Sequence, residues 1–165
     1  MRCLPTAFCH ASTVLALPDG SLLCCWFGGT HEGESDVGIY ISRRTDAGWS
    51  EPKLLVNGAA ANWNPVLFAG ADGRLLLFYK QGQQIADWQT WLLQSTDNGE
   101  TWSVPEPTVL RNNNASITAI RLQSGAVCVV YNDVAFNDEP ERTVWPDQRC
   151  PVVLAISEDG GKTWP

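Results

Sequence analysis

Two stretches of this 165-residue chain carry the same hydroxyl and carboxylate side chains at the same spacing. Ser95-Thr96-Asp97-Asn98-Gly99-Glu100-Thr101-Trp102 and Ser157-Glu158-Asp159-Gly160-Gly161-Lys162-Thr163-Trp164 both fit S-x-D-x-G-x-T-W. Ser, Asp and Thr close together are the raw material of nucleophilic and acid–base chemistry. Their duplication argues for another role. An active site is not usually copied intact into successive segments, whereas a fold-stabilising turn is. The physics suits a tight turn. The Asp carboxylate can accept backbone N–H groups across it. Gly takes a positive φ without a Cβ clash. The Trp can fold back to plug the space between neighbouring sheets. Ser42 through Trp49 is a degenerate copy that keeps Asp46 and Gly48 and loses the Thr.

Other residues able to do chemistry gather in polar, irregular stretches. His31, Glu32, Glu34 and Asp36 lie in Gly28–Asp36; Lys80, Asp87 and Trp88 lie in Lys80–Gln89. Asp133, Glu139, Arg142 and Arg149 lie in Asn132–Arg149. His10, Asn62, Asn64 and Asn112 to Asn114 fall in connections that lead into apolar runs. Asp36 reads either as a general acid or as a cap on the following strand, and His10 either as a site residue or as a capped loop histidine. Arg43-Arg44 reads as a solvated pair at a strand end. Tyr40, Tyr79 and Tyr131 read as core or rim packing. Asn114-Ala115-Ser116 fits a glycosylation acceptor. No phosphate loop, metal-ligand spacing or nucleophile elbow is present, so neither a metal nor an organic cofactor is implied.

The elements that must position these residues repeat. The runs HASTVLALPDGSLLCCWFGG, WNPVLFAGADGRLLLFYKQG and NASITAIRLQSGAVCVVYND share one plan. Asp19 and Asp72 begin equivalent turns, Ser124 takes the same place, and Trp49, Trp102 and Trp164 close the three units. The approximate repeats are 9–56, 62–110 and 112–165, within one domain of 1–165. Val14–Leu17 and Leu22–Phe27 flank a Pro-Asp-Gly hairpin turn. Leu75–Tyr79, Val127–Tyr131, Gly38–Ser42 and Val152–Ile156 are strand-like, with short runs at Pro52–Val56 and Pro107–Leu110. No stretch shows a helical period. The expected unit is a four-stranded antiparallel meander, and repeats of this size are the mark of propeller blades. Strand direction alternates in a meander. The S-x-D-x-G-x-T-W turns therefore lie at one end and the polar stretches at the other, which is the expected binding face.

Composition narrows the partners. The chain is 44% hydrophobic, 18% charged and carries a formal charge of −7. Eleven Lys and Arg among eighteen Asp and Glu give no basic face for nucleic acid. No apolar run is long enough to span a bilayer as a helix. Cys24 and Cys25 are adjacent in an apolar run and should point to opposite faces of a strand; the six cysteines read as reduced, small hydrophobes. The first residues show no basic stretch followed by a long apolar one, so the expected location is the cytoplasm, with an extracellular or periplasmic longer form left open.

The repeated turn resembles the Asp-box, or BNR, repeat of sialidases. With HASTVLALPDGSLLCCWFGGTHEGESDVGIYISRR, WNPVLF and LLLFYK, the chain is similar to the sialidase-like (exo-alpha-sialidase, neuraminidase) group over roughly residues 9 to 165. The resemblance implies an all-β fold: about three four-stranded blades of a six-bladed β-propeller, an incomplete ring. It implies a glycoside hydrolase of terminal acidic sugars on glycoconjugates or polysaccharides, in a fragment or internally deleted form. Family position places the acid at Asp36, with Glu32 as the weaker alternative. The family's substrate arginines fall where this chain has His10-Ala11-Ser12 and Gly29-Thr30-His31. His10, His31, Asn64, Lys80, Asn114 and Arg149 are then the substrate-binding candidates. This departure keeps two alternatives open: a non-catalytic carbohydrate-binding propeller, or a His-dependent lyase or rhamnosidase. Three blades cannot close alone, so for a chain complete as given two outcomes stay open: self-association that closes the ring, or a remnant.

Overall fold

The computed structural model describes residues 5–84, 87–110, 117–133 and 151–164. Within them the chain forms three antiparallel sheets in sequence order and no α-helix. The first sheet holds β1 (Phe8–Ala16), β2 (Leu22–Gly29), β3 (Gly38–Thr45), β4 (Gly48–Trp49) and β5 (Lys53–Val56). The second holds β6 (Asn62–Ala69), β7 (Leu75–Gln81), β8 (Gln89–Ser95) and β9 (Glu106–Pro107). The third holds β10 (Thr118–Arg121), β11 (Val127–Asn132) and β12 (Val152–Ser157).

The first hairpin of each sheet is one structure written three times. Gly20, Gly73 and Gly125 have φ of 83°, 80° and 90°. Their amides donate to Leu17, Gly70 and Leu122 carbonyls at 3.0, 3.2 and 2.9 Å. A side chain at such a φ is strained, which is why the turn sequence ends in Gly each time.

The S-x-D-x-G-x-T-W stretches are turns whose polar groups are engaged with one another. Asp97 accepts the Thr101 amide at 2.9 Å, the Thr101 hydroxyl at 2.5 Å and the Ser95 hydroxyl at 2.8 Å. Ser95 Oγ accepts the Gly99 amide at 2.8 Å. Asp159 repeats the pattern with Thr163 and Ser157, and Gly161 repeats Gly99. Hydrogen bonds from the Thr101 side chain and backbone and from Ser95 pull the Asp97 carboxyl down to about 2. The corresponding bonds from Thr163 and Ser157 hold Asp159 well below the usual carboxylate range.

Two strand boundaries differ from expectation. The expected four-stranded unit becomes five strands in the first sheet, because its last strand breaks at 50–52 into β4 and β5. Pro52 has no N–H to donate to a ladder, and Ser50 stands in for one rung: its amide donates to Arg43 O at 2.7 Å while its Oγ accepts the Arg43 amide at 3.0 Å. Ser103 does the same opposite Gln94, and β9 shortens to two residues. The second difference is at the strand starts. β1 begins at Phe8 and β6 at Asn62, so His10, Asn62 and Asn64 lie in strands rather than in connections. Each strand carries a bulge there, between His10 and Thr13 and between Trp63 and Val66.

Alternation along the strands builds two cores. In β7, Leu75, Leu77 and Tyr79 join Leu23, Cys25, Phe27, Ile39 and Ile41 of the first sheet. Leu76 and Phe78 point the other way and join Val127, Val129 and Ala155 of the third. The middle sheet is thus buried on both faces, and β7 reads as a continuous apolar run. Cys24 and Cys25 do face opposite ways: Cys25 is fully buried in the first core and Cys24 lies on the outer face. Trp102 packs into the first core. Trp164 packs into the second, 6.5 Å from Phe78.

Arg43 is not a solvated strand-end charge. Its guanidinium donates to Ser21 Oγ at 2.9 Å and to the Asn98 carbonyl, and it pairs with Glu100 at 3.2 Å. It thereby ties the first sheet to the turn of the second. Arg74 makes the equivalent bond to the Asp159 carbonyl of the third at 3.5 Å.

Candidate functional site

The end opposite the engaged turns is built from the start of β1, the end of β2, the start of β6 and the end of β7. An aromatic row runs across it. The His10 ring lies 5.8 Å from Phe27, Phe27 5.6 Å from Trp63, and Trp63 5.0 Å from Trp88. Phe27, Trp63 and Trp88 are buried, and His10 is exposed. The row rests on bonds beneath it. Trp63 Nε1 donates to Gly82 O at 2.8 Å. The fully buried Asn62 donates to Val37 O at 2.8 Å and accepts from Gln81 Nε2 at 3.1 Å. These bonds join the loop after β2 to the loop after β7, as does the Gln83 side chain donating to Gly33 O.

The first loop, 30–37, presents His31, Glu32 and Asp36, all exposed. It is closed by Asp36, whose Oδ2 accepts the Thr30 amide at 3.0 Å and the Thr30 hydroxyl at 2.8 Å. Within the loop, the Glu34 amide donates to His31 O at 3.3 Å and the Val37 amide to Glu34 O at 3.0 Å. In the second loop Asp87 Oδ1 accepts the Gln84 amide at 2.8 Å.

Lys80 is in β7, not in the loop where it was expected, and its side chain is 1% exposed. Its Nζ donates to Thr90 Oγ1 of β8 at 2.7 Å, directly across the ladder. Burial pushes the ammonium down to about 7, because a charged group loses its hydration there. Asn64 is half-buried in the β6 bulge with φ 45°, and Ala11 holds the matching place in β1 with φ 49°. Asn114 and Arg149 lie outside the described residues.

The structure therefore brings His10, His31, Glu32, Asp36 and Asn64 to one end, with Lys80 beneath it. Residue reasoning missed Thr30, Trp63 and Thr90, which hold or cover these groups. One signal was available for the bulge: Asn precedes Pro at 64–65, and Asn is among the residues that tolerate a left-handed backbone.

This fold and end define an all-β array of repeated antiparallel sheets that displays polar loops at one rim. The chain belongs to the BNR repeat-like domain family, which matches residues 20–105 and 90–165. No curated protein matches it. Among solved structures, it is similar to a protein of unknown function from Dyadobacter fermentans, with TM-score 0.66 and 16% identity over 95% of this chain and 53% of that one. It is also similar to the intramolecular trans-sialidase of Ruminococcus gnavus in complex with oseltamivir carboxylate, with TM-score 0.70 and 13% identity over 98% and 60% of the two chains. A third is the NanB sialidase of Streptococcus pneumoniae, with TM-score 0.68 and 11% identity over 98% and 44%. The chain thus spans about half the length of these structures. Identities this low carry the fold and no more.

Proposed function

We propose that the three sheets are blades of a six-bladed sialidase-type propeller, and that the protein is a sialidase-like glycoside hydrolase of terminal acidic sugars. The observation that carries this reading is the division of labour between the two ends. The repeated Ser, Asp and Thr groups are consumed in turns at one end. At the other end an exposed histidine and an exposed acidic loop stand around an aromatic row. Membership of the BNR repeat-like family and a fold shared with solved sialidases support this reading.

Glycoside cleavage needs a group that protonates the leaving oxygen and one that stabilises an oxocarbenium-like centre. Asp36 is our assignment for the acid, with Glu32 as its neighbour on the loop and His10 and His31 as partners for the sugar. The Thr30 bonds fix one Asp36 oxygen in place, and the other, Oδ1, lies beside Gly29.

A binding-only reading has its own support. Asp36 closes its own loop, its Oδ2 taken up by the Thr30 amide and hydroxyl, which is a structural task a binding rim also needs. Asp36→Asn separates the two. With reporter glycosides of acidic sugars, a hydrolase loses turnover by about a hundredfold or more and keeps its affinity. Unchanged turnover in the variant would remove Asp36 from the mechanism. Binding of sugar without turnover in either protein would establish the binding module.

A further inference from the structure

Asn62 of the second sheet grips the end of the loop that carries Asp36, and we propose that it is the positioning residue for that carboxyl. Its bearing on catalysis rests on the reading of Asp36 as the acid. Asn62 opens β6 and is fully buried. A primary amide has two N–H donors and a carbonyl, and burying it without partners costs free energy. Its partners lie at the loop. Nδ2 donates to Val37 O at 2.8 Å and to Ala60 O at 3.4 Å. The Asn62 backbone amide donates to the same Val37 carbonyl at 3.1 Å. Oδ1 accepts Gln81 Nε2 of β7 at 3.1 Å, which sets which end of the side chain faces Val37. Two donors from one residue thus converge on the carbonyl of the residue that follows Asp36.

The other holds on Asp36 come from its own sheet. Thr30 binds Oδ2 through its amide and its hydroxyl. Oδ1 lies against Gly29, where an added Cβ would stand 2.9 Å from it and 3.0 Å from Val37 Cα. Val37 is wholly buried, and its amide donates to Glu34 O at 3.0 Å. These contacts fix the carboxyl within the first sheet. From the second sheet, Gln83 bonds the loop at Gly33, three residues before Asp36, whereas Asn62 bonds it at the next residue. Asn62 also shares β6 with Trp63 and Asn64, which stand at the same end. Its bonds to Val37 therefore set Asp36 relative to the part of the rim that the second sheet supplies. A misplacement of about 1 Å between reacting groups can cost about a hundredfold in rate.

The strand itself does not need this amide. Ala11 and Asn64 hold matching bulges in β1 and β6, so Cys9 stands in β1 where Asn62 stands in β6. The first sheet thus builds the same strand start with a half-buried thiol. The third repeat has Asn114 at this place, outside the described residues. Asn is disfavoured in strands, and its place in β6 is explained by the loop it holds.

Asn62→Leu keeps the volume close and removes the side-chain donors and acceptor. The backbone bond from residue 62 to Val37 O remains, so the strand should still form. In the full chain, with umbelliferyl glycosides of N-acetylneuraminic acid and of glucuronic acid as probes, the variant should lose about ten- to a hundredfold in kcat with KM little changed. The Thr30 amide, which donates to Asp36, should exchange with solvent about tenfold faster or more, while the Gly99 amide in the far turn keeps its rate. Gln81→Met, which removes the bond that orients the amide, should act in the same direction and add nothing to Asn62→Leu. Gly73→Ala, which weakens the second sheet at its far turn, should change neither kcat nor Thr30 exchange. Parent-like kcat in Asn62→Leu overturns the proposal, as does an equal loss in Gly73→Ala, since general weakening would then suffice. Unchanged exchange at Thr30 overturns it too. No turnover of either glycoside by the parent, or full turnover in Asp36→Asn, removes the hydrolase reading instead. Thr30 exchange then decides alone: faster exchange in Asn62→Leu upholds the positioning of Asp36, and unchanged exchange ends it.

Discussion

Asp97 and Lys80 show how position decides what a charged side chain does here. Asp97 sits at the surface, yet three hydrogen bonds stabilise its ionised form, so it is locked as a carboxylate and cannot serve as an acid near neutral pH. Lys80 is the reverse case, a cation whose burial disfavours its charge. The consequence for stability has a definite sign. The folded value of about 7 lies below the ordinary 10.5, so between these the unfolded chain binds more protons than the folded one. Stability must then rise with pH across that window and level off above it. Lys80→Met should remove this rise and should be at least as stable as the parent at neutral pH. Urea midpoints measured at pH 7 and again near 10.5 test it. Parallel curves for parent and variant would show that Lys80 does not carry the dependence.

At the scale of elements, the turns set the registry between sheets. Gly99 has φ 86°, and a Cβ added there would stand 2.7 Å from Leu23 Cδ1 of the first sheet. Gly73 has φ 80° and nothing within 4 Å of the same point. Gly73→Ala should therefore cost about 1–2 kcal/mol, the left-handed backbone penalty alone. Gly99→Ala should cost clearly more, since the added methyl also displaces a packed core leucine. Equal thermal shifts in the two variants would mean that the turn does not bear on the neighbouring sheet. The same turns were the most legible part of the sequence, because Asp-Gly and S-x-D-x-G-x-T-W encode local hydrogen bonds and positive φ directly. Strand cores such as Leu75–Tyr79 were legible for a similar reason, as β-rich apolar runs of strand length. The starts of β1 and β6 were not. His10-Ala11-Ser12 and Trp63-Asn64-Pro65 look polar and broken, and only pairing with β2 and β7 shows a bulged strand. Arg43 was misread because its partners, Asn98 and Glu100, belong to another sheet. At the candidate site, the gathering of His10, His31, Glu32 and Asp36 at one end followed from strand alternation alone. Two features needed the fold: the aromatic row, which spans two repeats, and the burial of Lys80, which follows from the pleat of β7.

At the scale of the whole molecule, the middle sheet is the part through which the others are joined. It contributes Leu77 to one core and Phe78 to the other, both fully buried and adjacent in sequence. The cores share the backbone of β7 and few side chains, so damage to one should stay on its own side. Phe78→Ala removes a ring that packs between Leu76, Val127, Val129 and the Trp164 ring. Its expected cost is about 3–5 kcal/mol. Amide exchange should locate that cost, with protection falling in β10–β12 while β1–β3 keep theirs. Leu77→Ala should produce the mirror image, loosening the first sheet and sparing the third. Uniform loss of protection in both variants would mean that the three sheets unfold as one unit. A split pattern would mean that each junction contributes its own stability.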